Sequence, residues 1–234
     1  KWIVNENNVG TNCTTYSYVP ANNDLVTCIL TSNATCATGY PATSNTVSTI
    51  VKPLPTASIS GTTTVCPNTS SPQITFTGGG STAPYTFTYT INGGADLQVT
   101  TTSGNSVTVD VPTTTSGDFI YSLVSVSDAT GCSQSQTGTA TVTVHPQMTV
   151  THDASDQLCQ HNIQQVTASV SGGSGHYSYQ WEVITSGASA LFIPGSTSND
   201  FIWITGYTVA AGNYQYRLTV TDTSLGCTKV VNFT

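Results

Sequence analysis

Apolar and polar residues alternate with a period of two along most of the chain, and no stretch sustains the 3.6-residue spacing of a helix. Residues 85–91 are the clearest case: Tyr-Thr-Phe-Thr-Tyr-Thr-Ile puts rings on one face and threonines on the other, and the hairpin signal Asn92-Gly93-Gly94 ends it. Between residues 56 and 146 this pattern predicts seven short strands: 57–59 with 64–65, then 73–77, 85–91, 97–99, 107–111, 119–126 and 138–144. Residues 147–234 repeat the order, with strands at 166–170, 177–183, 201–204 and 214–220. Strands of this length and density, divided by Gly- and Pro-bearing turns, predict an immunoglobulin-like β-sandwich. Trp181 falls on the third strand of its unit, where such sandwiches bury a tryptophan, and is expected in the core. Trp2 takes the same place in residues 1–55, which supply strands at 16–19, 25–31 and 46–51 but no counterpart of the first two.

The expected architecture is therefore all-β: tandem immunoglobulin-like sandwiches in a rod-like array. Residues 1–55 form the C-terminal part of one unit, 56–146 a whole unit, and 147–234 a further unit whose last strand is short. The proline-bearing junctions Val51-Lys52-Pro53-Leu54-Pro55 and His145-Pro146-Gln147 read as semi-rigid spacers.

A second periodicity reinforces the first. A strand, a short polar turn and a cysteine recur three times, ending at Cys36, Cys132 and Cys227. Two of these cysteines have another upstream: Cys66 by 66 residues (132 − 66) and Cys159 by 68 (227 − 159). Aligning the repeats predicts the disulfides Cys66–Cys132 and Cys159–Cys227, each closed within a unit, and sends Cys36 to a partner before Lys1. Cys13 and Cys28, on consecutive strand segments, are expected to pair; the competing arrangement sends Cys28 upstream and leaves Cys13 a thiol. Closing a loop of this size contributes about 4 kcal/mol in the chain-entropy model. Seven cysteines in long-range pairs point to an oxidising, extracytoplasmic compartment, at a cell surface or beyond it.

Composition narrows the function classes. Only 6% of residues are charged, and Thr, Ser, Asn and Gly line the outer faces instead. The net charge is −7 with four cationic side chains, Lys1, Lys52, Lys229 and Arg217, which argues against nucleic-acid partners and anionic membranes. No apolar run approaches the roughly 20 residues that span a bilayer. Two glutamates, Glu6 and Glu182, and no paired-carboxylate, nucleophile-elbow, zinc-protease or phosphate-loop motif leave no basis for an enzyme or a cofactor.

The stretch from Asn33 to Asn45 (Asn-Ala-Thr-Cys-Ala-Thr-Gly-Tyr-Pro-Ala-Thr-Ser-Asn), the Val51-Lys52-Pro53-Leu54-Pro55 junction, and the pattern running from Gly117-Asp118-Phe119 to Ser127-Asp128-Ala129-Thr130-Gly131-Cys132 resemble tandem Ig-like and PKD-like repeats. Such repeats occur in large secreted and surface adhesins of Bacteroidota exported by the type IX system. The resemblance covers essentially the whole chain and implies a stalk, adhesin shaft or filament on the bacterial surface, with no catalytic residues. The alternatives are a carbohydrate- or protein-binding module, or an accessory domain of a secreted hydrolase.

Candidate sites are few. Asp128 and Asp222 recur before the cysteine turn, where a carboxylate either joins a calcium site or caps the turn through nearby backbone amides; without further acidic ligands beside them, capping is the expectation. His152, Asp153, Asp156, Cys159 and His161 are metal-ligating types, but Cys159 is assigned to Cys227 and no zinc spacing is present, so no metal is expected. Phe201, Trp203 and Tyr207 make either a sugar-stacking platform or a contact between units or subunits, and burial in a contact is the expectation. The expected partners are neighbouring repeats or subunits. The open first unit is to be covered by upstream chain or by a strand donated from a neighbour, and the latter leads to a filament.

Overall fold

The computed structural model describes residues 1–10, 13–39, 41–153, 163–184, 200–204 and 215–233; for 163–166, 183, 200–204, 216 and 233 the description is of backbone alone. Every element among them is a β-strand.

The second unit is the most regular. Its strands are β6 (Thr56–Ser60), β7 (Thr63–Val65), β8 (Gln73–Gly79), β9 (Thr86–Ile91), β10 (Leu97–Thr100), β11 (Ser106–Asp110), β12 (Gly117–Ser127), β13 (Ser133–Ser135) and β14 (Thr139–Val144). One sheet runs β11-β8-β6, and the other runs β10-β9-β12-β14-β7 with β13 beside β12. The first strand thus divides between the sheets: β6 pairs with β8, and β7 crosses over to run parallel to β14, Val65 against Val144. Alternation decides what lies between the sheets. Ile74 and Phe76 of one face Phe87, Tyr89, Tyr121, Leu123 and Val142 of the other, all buried. Phe76 stacks on Phe87 (ring centroids 5.6 Å) and packs tilted against Tyr89 (4.9 Å), which stacks on Tyr121 (5.9 Å). Each such ring taken from water contributes roughly 1.5–3 kcal/mol.

The third unit repeats this plan with β15 (Thr149–His152), β16 (Ile163–Ser171), β17 (Tyr177–Ile184), β18 (Asp200–Ile204), β19 (Gln215–Asp222) and β20 (Thr228–Phe233). Its sheets run β15-β16-β18 and β17-β19-β20. Trp181 on β17 is 1% exposed and packs with Leu218, Val220, Ala168 and Met148, the core position expected of it.

The first unit is built differently. β1 (Trp2–Val4), β2 (Asn7–Gly10), β3 (Leu25–Leu30), β4 (Ala42–Thr43) and β5 (Val47–Ser48) form one sheet, with no second layer among the described residues. Trp2 is only half-buried and stacks on Tyr16, which stacks on Tyr18. Leu25, Leu30 and Val47 are exposed, and among the described residues the first buried core cluster begins at Ile74.

Strand pairing fixes two ends for each sandwich. In the second unit, β12 starts beside Val144 and β7, at what we call the lower end. It finishes at Ser127 below the turn to Cys132, at the upper end. Eleven residues of strand separate the two ends, about 35 Å of rise. Cys66 follows β7 at the lower end, and Cys132 follows β12 at the upper end. A disulfide tolerates no more than about 7 Å between Cα atoms. The expected Cys66–Cys132 bond is therefore not made, because its cysteines sit at opposite ends of the sandwich. Cys66 is bonded instead to Cys227, across the boundary between units, with a Cα–Cα distance of 6.0 Å. The expected Cys159–Cys227 bond falls with it, since Cys227 is taken; Cys159 itself lies outside the described residues. Cys13, Cys28, Cys36 and Cys132 are thiols, so the expected Cys13–Cys28 bond is also absent. Those two cysteines flank Trp2, whose indole N–H donates to the Cys13 carbonyl while its backbone pairs opposite Cys28.

Candidate functional site: the joint between the second and third units

The joint begins where β14 ends. Val144 is 1% exposed, and the next residue, His145, is still held to the second unit by its N–H on the Val65 carbonyl (3.1 Å). The chain then meets the top of the third unit at once. His145 Nδ1 lies 2.9 Å from the Gly173 carbonyl, and Gly173 N–H donates to the Pro146 carbonyl (2.8 Å). Such an approach needs a loop without side chains. A Cβ on Gly172 (φ 84°) would lie 2.3 Å from the Gln147 carbonyl oxygen, and one on Gly173 (φ 63°) would lie 2.6 Å from Asp222 Oδ2. Met148, nearly buried, packs beside Gly173 and anchors the entering strand in the third core.

Asp222 closes the top of the third unit. It is fully buried, and its two oxygens accept four hydrogen bonds: Ser174 N–H (2.6 Å), Ser174 Oγ–H (2.7 Å), Ser224 N–H (3.0 Å) and Leu225 N–H (3.1 Å). Burial alone would raise its pKa; the donors from Ser174, Ser224 and Leu225 outweigh that and hold it below the ordinary carboxylate value. This carboxylate, spent on four donors, shapes the turn that carries Gly226 (φ 74°) and Cys227. Asp128 does the same in the second unit. Its Oδ1 accepts Thr130 N–H (2.8 Å), Thr130 Oγ–H (2.9 Å) and Cys132 N–H (3.0 Å). Against the effect of burial, donors from Thr130, Ser81 and Cys132 depress its pKa too. Both weak calcium candidates are thus turn-shaping acids, and no group of metal-ligating side chains gathers among the described residues.

The disulfide is the covalent part of the joint. Cys66 hangs from the lower end of the second unit and Cys227 stands on the upper end of the third, so the bond joins residues 161 apart in sequence. Together with the His145, Pro146 and Gly173 contacts, it holds the two sandwiches at two separate points.

The upper joint, between the first and second units, uses the same frame. Val51, Lys52, Pro53 and Leu54 stand where Val144, His145, Pro146 and Gln147 stand below; Gly80 (φ 77°) faces the Leu54 carbonyl as Gly172 faces that of Gln147. There the contact is lighter: Lys52 Nζ donates to the Thr130 carbonyl (3.3 Å), and Cys132 carries no bond.

Phe201 and Trp203 belong to β18, opposite Val166 and Gln164 of β16, with side chains outside the description; Tyr207 lies outside the described residues, as do Asp156 and His161. Sequence reasoning missed the joint because repeat alignment pairs cysteines by spacing and says nothing about which end of a sandwich each occupies. The parallel β7–β14 pairing, which places Cys66 at the lower end, would have been the signal.

No protein-family model matches the chain, and no curated protein matches it. Among solved structures it is similar to the FN1–FN3 domains of chicken CNTN1, at 12% identity over 91% of this chain and 76% of that one, with a TM-score of 0.31. It is also similar to three N-terminal domains of the Highly Immunogenic Outer Capsid protein of bacteriophage RB49 (13% identity, 77% and 57%, TM-score 0.33). A third similar structure is the BSP domain of a biofilm-associated protein (16% identity, 76% and 28%, TM-score 0.25).

Proposed function

We propose that this chain is a non-enzymatic, load-transmitting segment of an extracellular stalk or adhesin shaft, built from immunoglobulin-like units locked end to end. The observation that carries the reading is the Cys66–Cys227 bond between neighbouring units. A disulfide inside a sandwich stabilises that sandwich; one between sandwiches constrains their relative orientation. Natural units joined by a short linker rotate by default unless something fixes the interface. Here a proline-bearing linker, a glycine loop built for close approach and a covalent bond all act on one junction, which is what a stiff spacer needs. The bond also favours an oxidising compartment outside the cell.

Small-angle X-ray scattering on the oxidised 234-residue protein tests this. An elongated particle with one narrow distribution of lengths is expected, broadening on reduction or in Cys66→Ser. Identical profiles for the oxidised protein and Cys66→Ser would overturn the reading, because the bond would then constrain nothing.

A further inference from the structure

Tension in a polypeptide follows the shortest covalent route. For a pull applied before Cys66 and after Cys227, that route is the disulfide, and the chain between the two cysteines is a closed loop beside it. Among the described residues, every buried member of both cores lies in this loop, from Ile74 to Val144 in the second unit and from Met148 to Val220 in the third. The route itself holds β6, β7, Cys66, Cys227 and β20.

The route descends both sandwiches without turning back. β6 starts at the upper end of the second unit, Thr56 opposite Gly79, and β7 finishes at the lower end, Val65 beside Val144. The bond then crosses to Cys227, and β20 runs down the third unit from Thr228, opposite Thr221, to Phe233, opposite Tyr216. β6, β7 and β20 each stand at the edge of their sheet among the described strands, so the route touches each core's sheets through single ladders.

The route also has little slack. A strand already rises about 3.3 Å per residue, against at most about 3.3–3.6 Å for a fully extended chain. The step from β6 to β7 is fastened on both sides. Gly61 lies so close to β8 that a Cβ there would sit 2.4 Å from the Gln73 carbonyl oxygen, and Thr62 Oγ accepts the Thr141 N–H of the other sheet (3.2 Å). Where the loop leaves the route, Thr69 Oγ–H donates to the Cys66 carbonyl (2.8 Å); where it returns, Asp222 N–H donates to the Cys227 carbonyl (2.8 Å). Both necks of the loop are thus closed by short-range bonds.

We propose that the Cys66–Cys227 bond is a load bypass: pull along the shaft passes through β6, β7, the disulfide and β20, and both hydrophobic cores hang beside it unloaded. The length of this segment under load is then set by strands that are already extended, and not by the stability of either sandwich. An unpaired version of the same two units would hold only as long as each core stayed folded.

This inference rests on the shaft reading and makes a demand that stiffness alone does not: weakening a core must leave the oxidised chain as strong as before. The 234-residue protein, Trp181→Ala and Leu123→Ala are stretched by optical tweezers between Lys1 and Thr234, first oxidised and then in dithiothreitol. Residues 1–55 lie on the route and extend in every case. In the oxidised state the three force–extension curves are expected to coincide, with no step from the second or third unit. A variant too unstable to fold is expected to keep the same oxidised contour length, because its unfolded residues stay inside the loop. After reduction the second and third units are expected to unfold as two steps, with Trp181→Ala lowering or abolishing the third unit's step and Leu123→Ala the second's. Steps from either unit in the oxidised chain, at forces that the variants lower, overturn the bypass; with Cys66 still joined to Cys227 in a non-reducing peptide map, the stiff shaft stands. Cys66 recovered as an alkylated thiol in that map overturns both. Curves that reduction leaves unchanged overturn the bypass as well, because the bond would then carry no load.

Discussion

The two joints of this chain share a frame and differ in how tightly it is closed. Below the second unit, a buried valine, a histidine, a proline and a glycine loop bring the next sandwich into contact, and a disulfide fastens it. Above it, the corresponding valine is exposed, a lysine reaches one carbonyl, and the cysteine is a thiol. The sequence motif at each joint is nearly the same, so local propensity does not make the difference. What differs is whether the sandwich above the linker has both of its layers. A complete sandwich buries the end of its last strand and carries a cysteine at its lower end; a single sheet does neither.

The largest expected effect that sharpens this comparison is loss of the lower bond. A 161-residue loop contributes about 5 kcal/mol in the chain-entropy model. Cys66→Ser or Cys227→Ser is expected to split one coupled unfolding transition of the second and third units into two in calorimetry. Cys132→Ser in the same 234-residue protein is expected to shift stability by under about 0.5 kcal/mol, as for a surface change. Equal effects at both joints would break the comparison.

Next in size are the two tryptophans. Trp181→Ala empties a fully buried site and is expected to cost roughly 3–5 kcal/mol in denaturant unfolding. Trp2→Ala, in the half-buried position of the single sheet, is expected to cost less than half of that. A cost near zero at Trp181 would remove it from the core.

The glycines give a smaller contrast. Both Gly172→Ala and Gly80→Ala force a side chain into a left-handed conformation, at about 1–2 kcal/mol. Gly172→Ala adds a 2.3 Å clash with a backbone oxygen where Gly80→Ala adds only a 3.0 Å one. Thermal melts are expected to rank Gly172→Ala as the worse; the reverse order would mean the lower joint yields more easily than the upper.

Acid gives the smallest expected difference. Asp222 and Asp128 have folded pKa values below the ordinary carboxylate range, as does Asp24, held by the Ala21 N–H and the Asn5 side chain. Depressed values stabilise the fold above the unfolded pKa of about 4, and that stability is lost as pH falls through the folded values. Melting temperature is therefore expected to be flat from pH 5 to 7 and to fall below pH 4. Asp222→Asn should flatten that fall more than Asp128→Asn does, since Asp222 is fully buried and accepts on both of its oxygens.

Much of this was legible in the residues. Period-two alternation around Phe87, Tyr89 and Trp181 placed the central strands and the core, and the turn glycines and Asp128 and Asp222 marked the ends of strands. The cysteine pairing was not legible, because spacing reports which cysteines correspond between repeats and not where each sits. That depends on the crossover from β6 to β7, which sets Cys66 beside Val144 and has no signature in alternation. The exposure of Val51 was not legible from alternation either.

The central claim is that the covalent bond runs between sandwiches and not within one. Single-molecule stretching between Lys1 and Thr234 tests it most directly. The oxidised chain is expected to withhold the 161-residue segment from Cys66 to Cys227 as one block, and to release it, about 55 nm of extended chain, only after reduction. Two separately withheld segments of 66 and 68 residues (132 − 66 and 227 − 159), as bonds inside each unit would give, would contradict the account.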